Sequence, residues 1–130
     1  MAMRVLVVDD DQVTRAFFLR ALPTGEFEVI AVSGGEEAVG AVKRGRFHLA
    51  FVDMIMPSMD GLSTLKAIRA EQPDLAVIMM TGYAVEDNLI LAFHLGAVDF
   101  LYKPFESADD ILGAIQRFKK RQQLKPLGNE

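Results

Sequence analysis

The sequence predicts an α/β fold, a doubly wound parallel sheet with helices on both faces. Two observations predict it. Five short apolar or β-branched runs alternate with five longer segments of helical spacing, and such alternation requires crossover connections between parallel strands. The runs Val5-Leu6-Val7-Val8 and Val77-Ile78-Met79-Met80 are also apolar without a break, as strands buried on both sides are. At 130 residues the chain fits one domain.

The strands are expected at Val5–Val8, Phe27–Val32, Leu49–Val52, Ala76–Met80 and Val98–Leu101. Between the first two, Val13, Phe17 and Ala21 recur every four residues and predict a helix with that stripe inward. Ala38 and Val42 repeat the spacing, and Leu65 and Ile68 follow at three. The fourth helix, about Val85–Leu95, carries Leu89, Ile90, Leu91, Phe93 and Leu95 and is apolar more than halfway round. Ile90 is expected in the core, whereas Leu89 and Phe93 share a face that Phe100 on the next strand can join. The last helix opens with Ser107 three residues before Asp110, a capping pattern. Its stripe is Ile111, Leu112, Ile115 and Phe118, and its end is basic. The domain is expected over residues 3–121, with 122–130 as a tail or the start of a linker near Lys125-Pro126.

Composition narrows the function. Half the residues are hydrophobic, with nine Phe and no Trp, enough for one core. No apolar run approaches eighteen residues, so no membrane span is expected. The apolar run after Met1-Ala2-Met3-Arg4 is too short for a secretory signal. The absence of cysteine excludes disulfide and thiolate chemistry and makes the cytoplasm the default location. A formal charge of −4 argues against nonspecific nucleic-acid binding, and no DNA-binding segment is apparent. His48 and His94 lie away from strand C-terminal ends and are expected to be incidental.

Ligands of doubly wound folds collect beyond the C-terminal ends of the strands, and the unusual polar residues fall there. Asp9, Asp10 and Asp11 follow the first strand, Asp53 ends the third, Thr81-Gly82 follow the fourth and Lys103-Pro104 the fifth. Each has a plain structural reading: a solvated acidic loop, a turn-forming Asp, a turn, and a rigid corner with a cis bond. Four such features at one edge form a constellation. Converging carboxylates need a cation or a raised pKa, and all-oxygen ligands point to a hard divalent ion, Mg²⁺ best. Lys103, the Thr81 hydroxyl and the Gly82 amide would then suit a phosphoryl group. Gly82, without a Cβ, would allow close backbone approach.

These residues resemble the receiver domain of bacterial two-component response regulators. The likeness is carried by Val7-Val8-Asp9-Asp10-Asp11, by Asp53-Met54-Ile55-Met56-Pro57-Ser58-Met59-Asp60-Gly61, by Thr81-Gly82-Tyr83, and by Gly96-Ala97-Val98-Asp99-Phe100-Leu101-Tyr102-Lys103-Pro104-Phe105. It covers residues 3 to 121 and implies a flavodoxin-like receiver fold with strand order 2-1-3-4-5. Asp53 would accept a phosphoryl group from a phosphohistidine on a sensor histidine kinase or phosphotransfer protein. Asp10, Asp53 and the Ile55 backbone carbonyl would hold Mg²⁺, with Asp9 acting through water. Thr81 and Lys103 would contact the phosphoryl group, and Phe100 would be the switch aromatic. Output would pass through the face made by the fourth helix, fifth strand and fifth helix, to an output domain, a partner protein or a phosphorylation-dependent homodimer. Ile55 and Tyr83 are bulky at positions that tune phosphoryl lifetime, which implies slow autodephosphorylation.

Three rivals differ in class. A phosphatase of the haloacid dehalogenase type needs a second acid two residues after its nucleophile, where Ile55 stands and cannot donate a proton. A flavin carrier needs phosphate-binding hydroxyls and amides after the first strand, where three aspartates would repel a phosphate. A receiver-like module for protein contacts alone would usually lack an acid or the lysine, and all are present.

Overall fold

The computed structural model describes residues 2–82 and 86–123. Five strands, β1 (Met3–Val8), β2 (Phe27–Val32), β3 (Leu49–Asp53), β4 (Ala76–Thr81) and β5 (Ala97–Tyr102), alternate with α1 (Gln12–Ala21), α2 (Gly35–Arg44), α3 (Gly61–Glu71), α4 (Glu86–His94) and α5 (Ala108–Gln123). All pairings are parallel, and the order is β2-β1-β3-β4-β5. The predicted strands are present, with the third, fourth and fifth each one residue longer at the C-terminal end that carries the polar groups.

The sheet separates two apolar layers. Leu6, Val8, Ala50, Val52, Val77 and Met79 face α2, α3 and α4, where Val42, Leu65, Ile68 and Ala92 meet them. Val5, Val7, Leu49, Phe51, Ile78 and Met80 face α1 and α5, where Phe18, Leu22, Ile111, Ile115 and Phe118 meet them. Strands buried on both sides explain the unbroken apolar runs.

Two helices sit differently from the periodicity. In α1 the buried residues are Thr14 and Phe18, and Val13 is 72% exposed. The inward stripe is displaced by one residue because the Thr14 hydroxyl donates to Asp11 Oδ2 at 3.0 Å, which makes a polar residue cheap to bury. In α4, Ile90 is 49% exposed rather than core, as are Leu91 and Phe93 at similar levels, and Ala92 is the buried residue. Val85, the expected first residue of that helix, lies outside the described residues. Asp110 Oδ2 accepts from the amide of Glu106 at 2.7 Å, and Ser107 Oγ accepts from the amide of Asp109 at 3.2 Å, so the predicted cap of α5 forms. The helix continues to Gln123, two residues past the expected boundary. The tail around Lys125 lies outside the described residues. No helix among the described residues is long and apolar enough to cross a membrane.

Candidate phosphoryl-acceptor site

Three carboxylates meet at the C-terminal edge of the sheet. Asp9 and Asp10 follow β1 and Asp53 ends β3, and each brings an oxygen to within 4.8 Å of the others. They differ in environment. Asp9 is fully buried and engaged at both carboxylate oxygens: Oδ1 accepts from the Asp11 amide at 2.9 Å, and Oδ2 from Lys103 Nζ at 2.7 Å. Its carbonyl accepts from the Arg15 guanidinium at 2.7 Å. Asp10 is exposed beside it. Asp53 is buried, and among the described residues its carboxylate has long polar contacts, from the Ile55 amide at 3.4 Å and Lys103 Nζ at 3.5 Å. Asp11 turns out of the cluster and caps α1, its Oδ1 accepting from the Val13 amide at 3.0 Å.

The electrostatics follow from this crowding. Burial, with the charge of Asp9 added, lifts the Asp53 carboxyl from 3.8 to about 6, against the opposing pull of Lys103. For Lys103, burial works against the charged form, but the Asp9 hydrogen bond and the charges of Asp9 and Asp53 outweigh it and hold the ammonium above its ordinary value. One ammonium facing three carboxylates leaves negative charge unbalanced, and the donors are all oxygen. That set fits a hard divalent cation.

The opposite wall comes from β4 and β5. Thr81 ends β4 buried, and its carbonyl accepts from the Lys103 amide at 2.9 Å, which fixes the lysine's stem beside it. Gly82 is exposed, and an added Cβ would meet only Lys103, at 3.9 Å. Among the described residues the space beside Gly82 is thus open on the side of the lysine. The Lys103-Pro104 bond is cis. Ile55 is 71% exposed at the mouth of the site. Tyr83 lies outside the described residues. Phe100 is half-buried with its ring 4.9 Å from that of Phe93, edge to face, and Leu89 is half-buried on the same helix. His48 and His94 are both exposed and far from this edge in the fold; His48 Nδ1 accepts from the Arg4 amide at 2.9 Å.

Two features were not legible in residue types. Gly61 packs so tightly under Asp53 that an added Cβ would stand 2.2 Å from the Asp53 carbonyl oxygen and 2.6 Å from Met54 Cα. Its position in the run from Met56 to Gly61 was the only signal. Between them Ser58 takes φ 74°, and the Met59 amide donates to the Pro57 carbonyl at 2.8 Å, which makes a γ-turn. A groove of about 500 Å³ also opens beside Lys103, lined by Val13, Phe17, Pro104 and Phe105.

Residues 5–116 match the response regulator receiver domain family. The response regulator protein FleR of Pseudomonas aeruginosa is 40% identical over 107 residues, covering 82% of this chain and 23% of FleR. The chemotaxis protein CheY of Bacillus subtilis is 36% identical over 118 residues, covering 90% of this chain and 98% of CheY. A response regulator from Burkholderia pseudomallei, crystallised with a phosphorylated aspartic acid, a calcium ion and citrate, shares the fold with a TM-score of 0.80 at 28% identity, over 98% of this chain and 75% of that one. The chain thus spans under a quarter of FleR and nearly all of CheY. With the strand order, the acidic edge and the matched span in agreement, the chain belongs to the response regulator receiver domain family of two-component signalling.

Proposed function

We propose that Asp53 is the phosphoacceptor of this receiver domain and that Mg²⁺ is its metal. The observation that carries this is the position of the Asp53 carboxylate, buried among acids yet held, among the described residues, by long contacts, with Lys103 Nζ 3.5 Å away. An oxygen of Asp53 forms the new O–P bond while the P–N bond of a donor phosphohistidine breaks and the imidazole keeps the electron pair. Asp10, Asp53 and the Ile55 carbonyl would hold the ion, with Asp9 acting through water; bound there, Mg²⁺ would supply charge neutralisation for the phosphoryl oxygens. Lys103 can pass from Asp9 to a phosphoryl oxygen with little movement of its stem. Thr81 and the Gly82 amide take the remaining oxygens. The reaction is a switch rather than turnover of a separate substrate.

The donor would be a sensor histidine kinase or a phosphotransfer protein, meeting the cytoplasmic domain over the apolar groove beside Lys103. Output would leave by Leu89, Phe93 and Phe100, to an output domain, a partner or a homodimer that forms on phosphorylation. Residues 3–121 would suffice for the receiver, with 122–130 as tail or linker. Incubation with acetyl phosphate and Mg²⁺ tests the reading. Acid-labile, hydroxylamine-sensitive label is expected on the parent, none on Asp53→Asn, and none on a folded Asp10→Ala variant that no longer binds Mg²⁺. Full labelling of Asp53→Asn would refute it.

A further inference from the structure

The pairing of β4 with β5 is irregular at one point. Val77 faces Ala97, but Ile78 faces Asp99, so Val98 is skipped and bulges from the ladder. The bulge decides which way the rest of β5 points. Ala97 and Phe100 pack in the layer shared with α4, whereas Val98 and Leu101 pack in the layer shared with α5. Asp99 also turns toward α5, so two consecutive residues, Val98 and Asp99, lie on one side. Such a pair on one side is what a bulge produces. Were the bulge to be lost, the residues after it would slip by one and exchange faces. Phe100 would then leave α4.

β5 is an edge strand, paired on one side only, so its neighbours in the sheet do little to hold the bulge in place. Asp99 supplies what the ladder lacks. Its Oδ1 accepts from the next amide, that of Phe100, at 2.8 Å. Its Oδ2 accepts from Arg117 Nε at 3.0 Å and lies 3.6 Å from an Arg121 nitrogen. The two arginines stand one turn apart on α5, and the carboxylate is only 21% exposed. One side chain thus ties the local backbone of the bulge to the last turns of α5.

We propose that Asp99, held by Arg117 and Arg121, is a positioning residue that locks the β5 register and thereby presents the Phe100 ring to Phe93. A half-buried carboxylate shared by two guanidinium groups is stronger than a single surface pair. It also links α5 to the ring, so that a displacement of either is felt by the other.

Two loss variants, a charge-restoring variant and two NMR readouts test it on the whole chain, without metal or phosphoryl donor. Asp99→Asn keeps an acceptor for the Phe100 amide but removes the charge, and the double variant Arg117→Gln/Arg121→Gln removes the partners. In both, the Phe93–Phe100 inter-ring NOE is expected to fall at least twofold and the Phe100 amide to exchange at least tenfold faster. The amide of Phe51, in the central strand, should keep its exchange rate. Unchanged ring contacts in both variants would overturn the proposal. So would a change confined to Asp99→Asn, which would show that the two arginines do not hold the ring in place, or an equal acceleration at Phe51, which would mean general loosening. Recovery of the ring NOE in Arg117→Lys/Arg121→Lys, where charge returns, would support the pair as the cause.

Discussion

Burial and the neighbouring Asp9 lift the Asp53 carboxyl to about 6, so the folded, metal-free protein holds this proton more tightly than the unfolded chain does. Below about pH 4 both states are protonated and the group costs nothing. Between pH 4 and 6 the unfolded carboxyl ionises first and stability is lost; above 6 the full cost remains, on the order of 2–3 kcal/mol from the shift. Asp53→Asn should therefore stabilise the metal-free protein by up to about that amount at pH 7.5 and by nothing at pH 3.5, read from urea midpoints. Saturating Mg²⁺ should narrow the gap, because it binds the folded parent. At the other wall, Thr81→Ala should still accept phosphate at Asp53. In the proposed reading, phosphorylation would add charge and acceptor oxygens that draw the Thr81 hydroxyl inward, making room for the Phe100 ring to swing. The variant should thus show a weakened response to a beryllofluoride mimic at Leu89, Phe93 and Phe100 in NMR shifts. A response as full as the parent's would exclude that route.

At the scale of elements, glycines show how tightly α3 is joined to Asp53. Placing alanine in a helix normally gains about 1 kcal/mol over glycine. Gly113 in α5 has only the Arg117 side chain at 3.9 Å from an added Cβ, so Gly113→Ala should gain most of that. Gly61→Ala should reverse the sign, losing about 1–3 kcal/mol by overpacking against the Asp53 carbonyl, and should slow phosphorylation as Asp53 shifts. Paired thermal melts and labelling rates check both. The same elements mark where sequence reading succeeded and failed. The strands were legible because burial on both faces leaves a continuous apolar run, and their polar ends then placed Asp53, Thr81 and Lys103 on one edge. Helix faces were less so. The α1 stripe was displaced because Thr14 buries its hydroxyl against Asp11, and Ile90 of α4 faces solvent because Ala92 takes the inward position. Apolar spacing reports neither a satisfied hydroxyl nor an apolar face kept outward. The roles of Gly61 and Asp99 depend on contacts across elements, which spacing along the chain does not encode.

For the whole molecule, what was legible was the architecture and the convergence of the site, since both follow from strand order and strand ends. The sheet that makes this convergence also acts as a wall. The residues of α2, α3 and α4 touch one side and those of α1 and α5 the other. Damage should therefore be local in the thermodynamic sense. Ile68→Val opens a small void on one side and Ile115→Val on the other, each costing about 0.5–1.5 kcal/mol. With no shared neighbours their effects should sum to within about 0.5 kcal/mol, whereas Ile68→Val with Leu65→Val, in one compartment, should not. Denaturant curves of the three single and two double variants would measure it. Two compartments joined by few side chains, Asp99 among them, let the core packing of one half drift in sequence with little compensation in the other.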